Sequence, residues 1–468
     1  MNMLHIIFNL VKPLRISCSR SATFFWMKVA IFAMCACPDG MGVSSFMRCA
    51  WLKEKCYHRL IQFFNSTSIN LKSLTDTWAS IVREKFTPCI IGNKYRAFVA
   101  DGINIAKEGK KMPAVKKLHC ASDNNSKPEF IMGHFYQVIS SLCSSSSGTV
   151  AVPITSRICD GLTYSNRSKK TIIDRLIDMF RESVTNQFDG PLILIADAYY
   201  ASRKVMLPLL QSGHQLISRV KSNAVAYRAP DALPKGRGRP RKYGEKIKLY
   251  SIFDDKEKFS SIHCPIYGER DVELLVHTQV LLWRSAGVWV RYVWAMHPKR
   301  GKIVLICSDT DLDVVEIIRG YGLRFKIEVS FKTAKHVICS YCYRFWMRSM
   351  EPTDRKGKNL YLPSQSKEVR AKVEQKMNAY HLFVQLGCIA QGLLQYLSLY
   401  HGKEVWASFR GWIRTIRSDV APSEQVVSFA LSSSLLDLCL YSSRNEELHK
   451  FMEEVVDPSR LPGARLAA

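Results

Sequence analysis

The feature that most constrains the fold is the apolar run PLILIADAYYASRKVMLPLLQSG at 191–213. Its first residues do not alternate between polar and apolar, which is typical of a strand covered on both faces inside an α/β layer. Asp197 follows that strand, and a helical spacing follows Asp197. A second run, KYRAFVADGINIA at 94–106, stops at Asp101-Gly102 and predicts a strand that ends in a turn. We therefore expect an α/β layer in which an acidic residue follows each of two strands.

The regions around these two strands differ in periodicity. Residues 130–158 predict two strands joined by a Ser-rich turn, and residues 214–312 alternate as antiparallel strands do. In the first helical region, Ser68 or Asn70 is expected to start a second helix. Helical spacing is found at 48–88, 170–187, 312–349 and 367–417.

These patterns predict an α/β fold with a mixed sheet flanked by helices, interrupted by a β-rich insertion subdomain and preceded by a helical N-terminal region. Translation that begins at Met41 or Met47 would explain why the first residues look atypical. The expected segments are an atypical N-terminal extension (1–45), the helical region (46–90), the first part of the α/β domain (91–213), the insertion (214–312), the second part of the α/β domain (313–420) and a C-terminal tail (421–468).

Charge restricts the class of partner. The chain of 468 residues has 67 Lys and Arg against 40 Asp and Glu, a formal net charge of +27. Such a chain repels itself unless a polyanion neutralises it, and nucleic acid is the usual polyanion. Its apolar content of 47% excludes a disordered or collagen-like chain.

The cysteines and the apolar N-terminus bear on the compartment. Fifteen Cys without a regular framework indicate a reducing cytosol. Cys339-x-x-Cys342 lacks the second pair of a zinc site, so partly buried thiols are the simpler interpretation. Residues 22–36 look superficially like a signal sequence, but Lys28 interrupts them, and we find no other uninterrupted span of about 20 apolar residues. We expect no membrane partner.

A second group of residues lies at helical spacing. Arg324, Glu328 and Lys335 follow Tyr321 by three, seven and fourteen residues, which places all four side chains within about 60° of arc on a continuous helix. One face then carries a carboxylate flanked by two cations and a phenol. A solvated charged face is the alternative interpretation.

Carboxylates at the ends of neighbouring strands project onto the same rim of a sheet, where open α/β folds bind their ligands. Asp101 and Asp197 are candidates for that position, although either one alone also fits a turn or a helix N-cap. Together with Glu328 they would supply three hard oxygen ligands. Three such carboxylates can hold two Mg²⁺ or Mn²⁺ ions about 3.5–4 Å apart, an arrangement that stabilises the attacking and leaving oxygens at phosphorus.

These acidic residues and the Tyr321/Arg324/Glu328/Lys335 spacing resemble the DDE transposases of bacterial insertion sequences that carry the YREK signature. Gly102 stands where many relatives have a further polar residue, and about the first 45 residues lie outside the likeness. The likeness spans about residues 48–430 and includes NNSKPE at 124–129, Gly133-His134, RGRPRKYG at 237–244 and YRFWMRSM at 343–350.

The resemblance implies a ribonuclease H-like fold and a specific reaction. Metal-dependent hydrolysis would expose a 3′-hydroxyl at the end of a DNA element, and that hydroxyl would attack a target phosphodiester. Asp101, Asp197 and Glu328 would be the catalytic residues and the ligands of two Mg²⁺ or Mn²⁺ ions. The DNA backbone would be held by Tyr321, Arg324 and Lys335.

The implied partners are double-stranded DNA, both the terminal inverted repeats and the target, and a second copy of the chain. A homodimer is expected in the DNA complex because two element ends must be processed together. The implied location is cytoplasmic and associated with the nucleoid. Some relatives hold a flipped base with an aromatic residue of the insertion, and Trp283, Trp289 and Trp294 are candidate counterparts, with core packing as the alternative.

Two further basic stretches are candidates for DNA contact. Lys110 and Lys111 lie in a Lys-rich stretch shortly after Asp101. Arg237 and Arg239 lie in a Gly- and Pro-rich loop that could enter an A·T-rich minor groove, or contact phosphate alone. Two other functions stay open, a DNA-binding protein that has lost catalysis and a different metal nuclease of the same fold, such as a resolvase.

Overall fold

The computed structural model describes residues 3–37, 42–120, 128–230, 241–266, 269–354, 359–414, 416–417, 419–441 and 453–460. The helices are α1 (Met3–Val11), α2 (Ser21–Ala36), α3 (Val43–Cys49), α4 (Cys56–Phe64), α5 (Leu71–Lys85), α6 (Ile172–Phe180), α7 (Arg203–Gln211), α8 (Val314–Leu323), α9 (Phe325–His336), α10 (Lys367–Tyr400), α11 (Gly402–Ser408) and α12 (Glu424–Tyr441). The strands are β1 (Ile90–Ile91), β2 (Tyr95–Ala106), β3 (Lys116–His119), β4 (Phe130–Ser145), β5 (Gly148–Ile158), β6 (Leu162–Thr163), β7 (Leu192–Ala196), β8 (Gln215–Arg219), β9 (Val225–Tyr227), β10 (Lys246–Lys248), β11 (Ser260–Ile266), β12 (Glu269–Trp283), β13 (Val288–His297), β14 (Gly301–Cys307) and β15 (Leu360–Tyr361).

The chain divides into two compact units, and strand β2 contributes one half to each. The predicted division into six segments stays a prediction. The first unit consists of Met1–Thr87, Gly102–Lys169 and Glu328–Ala468, and the second of Pro88–Asp101 and Lys170–Ile327.

The second unit is built on a mixed sheet. The first half of β2 pairs in parallel with β7, and β7 pairs in parallel with β8. All five residues of β7 are buried, as its unalternating apolar sequence predicts. Helix α8 packs closely on this layer, because a Cβ on Gly320 would lie 3.3 Å from Ile217 and 3.7 Å from Ile195.

The β-rich region continues this sheet. Strand β14 pairs antiparallel with β8, and β13, β12 and β11 follow by antiparallel pairing. The first predicted strand of this region, β8, therefore belongs to the parallel layer. The alternation from 214 onward does not separate a parallel strand from an antiparallel one, because both can bury one face.

The first unit combines an antiparallel meander with helices. Strands β3, β4 and β5 pair antiparallel in order, and the Lys107 amide, just after β2, donates to the Met132 carbonyl in β4 at 2.9 Å. Helix α10 lies against β5, where the Gln385 side chain donates to the Ile154 carbonyl at 2.9 Å. The mixed sheet with flanking helices and a β-rich insertion confirms the predicted fold class.

Helix α10 is long and apolar enough to cross a membrane, by length and composition. The sequence of α10 is not an uninterrupted apolar span, because polar residues such as Gln385 and Gln391 lie among its apolar residues. Its most apolar stretch is 94% buried inside the protein, as in the core helix of a globular domain.

The N-terminal helices are also part of the first unit. Most of the second half of α2 is buried, and the Cys35 thiol donates to the Ala390 carbonyl of α10 at 3.7 Å. Asn70 caps α5 by accepting from the Ser73 amide at 2.9 Å, so the second helix starts where one of the two predicted caps stands. Trp78 of α5 donates to the Pro153 carbonyl at 2.8 Å, which fixes this helix to β5.

Three local predictions are wrong. Strand β2 continues through Asp101-Gly102 without a turn, since residues beyond the β7 pairing find a new neighbour in β4. The helix expected from 312 onward breaks at Arg324, whose amide bonds the Tyr321 carbonyl at 3.0 Å in a tighter turn. Helix α9 ends at His336, and the residues up to 349 are not helical. From Tyr341 to Arg348, buried side chains alternate with more exposed ones, so the apolar spacing belongs to an irregular segment and not to a helix.

Candidate active site

Asp101 and Asp197 occupy equivalent positions on neighbouring strands. The last register pair of β2 and β7 is Ala100 with Ala196, so each carboxylate belongs to the residue that follows the pair. The side chains are 24% and 36% exposed. The structure therefore brings two acidic residues to the same edge of the parallel layer, at the point where the pairing of β2 with β7 ends.

Each of these carboxylates lies close to an arginine. Arg324 donates to Asp101 at 3.3 Å, and Arg219 lies 3.7 Å from Asp197. The Arg324 guanidinium also lies over the ring of Tyr321, with 5.9 Å to the ring centroid. Each arginine places a positive charge beside one of the two neighbouring carboxylates, which offsets the repulsion between them.

Sequence reasoning missed Arg219. Strand β8 pairs in parallel with β7, and Ala196 is in register with Ser218, so the residue after Ser218 lies beside Asp197. The signal was present as a basic residue at the end of the apolar run QLISRV. It could be used only once β8 was known to lie next to β7.

Glu328 and Lys335 lie in α9 and belong to the first unit, whereas Tyr321 and Arg324 belong to the second. The four residues do not share one continuous helix, because the chain turns at Arg324. The prediction that all four side chains lie within one arc of a single helix is therefore wrong. Lys335 donates from Nζ to the Asn104 carbonyl of β2 at 3.4 Å.

A divalent metal fits the donors at the sheet edge. Asp101 and Asp197 offer partly exposed carboxylate oxygens, the hard ligands that Mg²⁺ and Mn²⁺ prefer. Within the described part of the chain, no three Asp, Glu, His or Cys side chains are grouped closely enough to hold a metal ion. The contribution of Glu328 as a third ligand stays a prediction.

A cavity of about 660 Å³ lies in the first unit, where β2 ends. Three basic side chains line it, Lys107, Lys335 and Arg344, and Trp346 at its wall is 68% exposed. Basic side chains beside an exposed indole are suited to the backbone and bases of nucleic acid. Arg344 and Trp346 lie in the YRFWMRSM segment, so the sequence likeness had included them without assigning them a role.

Lys107 is buried in the wall of this cavity. Its ammonium donates to the carbonyls of Tyr341 and Tyr343 and lies 3.5 Å from the centroid of the Tyr343 ring. Burial lowers the pKa of Lys107 to about 7. His134 bonds the Tyr343 hydroxyl at 2.5 Å and the Pro113 carbonyl at 2.8 Å, and burial lowers its pKa to about 3, so it is neutral at physiological pH and holds the surrounding chain in place.

The other predicted DNA contacts are placed as follows. Lys110 is exposed, and Lys111 donates to the Arg348 carbonyl at 3.3 Å. Arg237 and Arg239 lie outside the described residues. Of the three tryptophans in the insertion, Trp294 is fully buried and donates to the Leu249 carbonyl at 2.6 Å, Trp283 is buried, and Trp289 is 43% exposed.

Comparison with known proteins gives one family. The family described as "DDE superfamily endonuclease" matches residues 13–272, more than half of the chain, and this match begins inside the segment that the sequence likeness left out. Among curated proteins no match is found.

Two solved structures show some similarity to the chain. A cryo-EM structure of the piggyBac transposase synaptic complex with hairpin DNA has a TM-score of 0.39 at 13% identity, covering 98% of this chain and 83% of that one. The crystal structure of the NurA nuclease from Sulfolobus solfataricus has a TM-score of 0.25 at 10% identity, covering 60% of this chain and 91% of that one.

Proposed function

Because the chain belongs to the DDE superfamily endonucleases, we propose that it is a transposase of the bacterial insertion-sequence type with the YREK signature. It would cleave DNA at the ends of its element and join the exposed 3′-hydroxyl to target DNA. The observation that carries this proposal is the position of Asp101 and Asp197, one residue beyond the last pair of two parallel strands, each beside an arginine.

Asp101, Asp197 and Glu328 would hold two Mg²⁺ or Mn²⁺ ions. Such ions supply charge stabilisation to the attacking and leaving oxygens of a phosphodiester. Arg324 and Arg219 lie beside the two aspartates. When DNA binds, these guanidiniums would donate to a phosphate oxygen in a charge-assisted contact.

The remaining cations would position the DNA. Lys335 and Arg344 line the cavity in the first unit, and Lys110 and Lys111 follow β2 closely in sequence. Their phosphate contacts would set the register of the element end without reading its sequence. Two ends are processed together in transposition, so we expect the active form to be a homodimer on DNA, in the bacterial cytoplasm at the nucleoid.

The test uses linear DNA that spans the reading frame with its native flanks. The purified chain should cleave this DNA at the element ends only when Mg²⁺ or Mn²⁺ is present. Asp101→Asn, Asp197→Asn and Glu328→Gln should each abolish cleavage while electrophoretic mobility shifts show DNA binding near the wild-type level, because phosphate binding depends on the cations.

Asp271→Asn is the matched control, since Asp271 of β12 is an exposed carboxylate that pairs with His263. It should cleave as the wild type does. Cleavage by Glu328→Gln at the wild-type rate would overturn the assignment of this residue. Wild-type DNA binding without any cleavage would instead support a DNA-binding protein that has lost catalysis.

A further inference from the structure

Cys339 and Cys342 lie at the two ends of a tight turn. The Cys342 amide donates to the Cys339 carbonyl at 2.9 Å, which closes a four-residue turn and brings the two Cα atoms within about 7 Å. A disulfide needs Cα atoms about 4.4–6.8 Å apart. The Cys339 thiol donates to the Lys335 carbonyl at 3.5 Å. The turn therefore holds the two cysteines at a Cα separation that a disulfide can span.

The turn is fixed by its surroundings. Cys339 has φ of +53°, a left-handed conformation that a residue with a side chain adopts only when its neighbours enforce it. Ser340 packs so tightly on helix α10 that a Cβ on Gly387 would lie 2.5 Å from it. The Ser340 amide also bonds the Ala334 carbonyl of α9 at 2.8 Å. Helices α9 and α10 therefore hold this turn in place.

The two thiols differ in chemistry. The hydrogen bond from Cys339, together with the charges of Lys107 and Arg344, lowers the pKa of Cys342 to about 7 against the cost of burial. The same hydrogen bond and burial raise the pKa of Cys339. Cys342 therefore supplies a thiolate near neutral pH, while Cys339 stays protonated. Cys342 also lines the 660 Å³ cavity, which gives a small reagent access to its sulfur.

We propose that Cys339 and Cys342 are an oxidation site that forms a reversible disulfide by exchange with a small-molecule disulfide such as oxidised glutathione. The Cys342 thiolate attacks one glutathione sulfur and expels the other as a thiolate. Cys339 then loses its proton to solvent and attacks the Cys342 sulfur, which expels the second glutathione thiolate. The two thiols lose two electrons in total, and one glutathione disulfide gains them. This site is independent of the proposed transposase activity.

The test measures the redox state of one peptide in the full-length protein. Trypsin releases His336–Arg344, which contains both cysteines and no other. The folded protein is equilibrated in glutathione buffers of increasing oxidised fraction, quenched with acid, alkylated and digested for mass spectrometry. The peptide should pass from carrying two alkyl groups to carrying none, with a mass two hydrogen atoms below that of the unalkylated dithiol peptide. After reduction it should again take up two alkyl groups.

Three variants distinguish an internal disulfide from exposed thiols that react separately with glutathione. Cys339→Ser should retain Cys342 as a mixed disulfide with glutathione, and Cys342→Ser should keep one alkyl group throughout. Cys120→Ser removes another partly exposed thiol and should leave the transition of the peptide unchanged. A wild-type peptide that keeps both alkyl groups in the most oxidised buffer, or one that loses them only after unfolding in urea, overturns the proposal.

Discussion

Arg324 is the side chain that joins the acidic edge of the sheet to the helical segment after the insertion. It is 16% exposed and donates to Asp101, which is 24% exposed, at 3.3 Å. A guanidinium this close to a carboxylate that is proposed to bind metal has a second partner available in DNA phosphate. Arg324 therefore stabilises the site through its contact with Asp101, and it is also available to contact the proposed DNA ligand.

Arg324→Ala should lower affinity for element-end DNA about 10- to 150-fold, since one charge-assisted contact contributes about 1.5–3 kcal/mol. Fluorescence anisotropy at fixed salt measures this change. Arg228→Ala is the control, because Arg228 pairs with Glu245 in the insertion, where both side chains are more than half exposed. Equal affinities of Arg324→Ala and wild type would contradict the proposed contact.

Lys107 should make stability depend on pH. Its pKa is lowered from 10.5 to about 7 by burial, so between these values the unfolded chain binds a proton that the folded chain does not. The free energy of unfolding should therefore rise with pH from about 7 to 10.5 through this group. In Lys107→Met that part of the slope should disappear, as urea unfolding at pH 7, 8, 9 and 10 would show.

The control for this experiment is Lys72→Met, which replaces an exposed lysine paired with Asp76 on α5. Its stability should follow pH as the wild type does. A Lys107→Met variant with the wild-type slope would contradict the assignment of a neutral amine above pH 7.

The elements show why only part of the site could be predicted. The run LILIA predicts β7, since a short apolar run without alternation is typical of a strand covered on both faces, and Asp197 follows it. Asp101-Gly102 has the composition of a turn, yet β2 passes straight through it because β4 offers new backbone partners. Residue type alone does not show which strands are neighbours. The position of Arg219 beside Asp197 and the continuation of β2 past Gly102 therefore follow only from the sheet topology.

Helix α9 illustrates the same limit. The spacing of Tyr321, Arg324, Glu328 and Lys335 predicted one helical face, but the break at Arg324 separates these residues between two helices. Gly320 and Gly322 precede the break, but a single Gly is also tolerated inside a helix, so neither residue marked its end. Spacing along the sequence therefore does not show whether one regular helix relates the four residues.

The packing of α10 gives a prediction at the scale of elements. A Cβ on Gly392 would lie 2.3 Å from the Trp78 ring of α5, closer than packed atoms approach. Gly392→Ala should therefore destabilise the protein by about 1–3 kcal/mol in urea unfolding. In a Trp78→Leu background, which removes the obstructing ring atoms, the same substitution should cost less. Equal costs in both backgrounds would contradict this contact.

At the scale of the whole molecule, the charge of +27 should govern binding to DNA. Each lysine that contacts phosphate contributes about 0.9 to the slope of log affinity against log salt. The double variant Lys110→Ala, Lys111→Ala should lower the magnitude of this slope by up to about 2, measured by anisotropy over a salt series. Lys258→Ala, which breaks a surface pair with Asp255, should leave it unchanged. An unaltered slope in the double variant would contradict these two contacts.

The central claim is that Asp101 and Asp197 act with Glu328 around divalent ions, although Glu328 belongs to the other compact unit. Crystals of the chain soaked in Mn²⁺, with data collected near the manganese absorption edge, test it most directly. We predict anomalous density in contact with carboxylate oxygens of all three residues, and its loss in Asp197→Asn. Manganese bound elsewhere, or bound to the two aspartates with the Glu328 carboxylate out of reach, would contradict the claim.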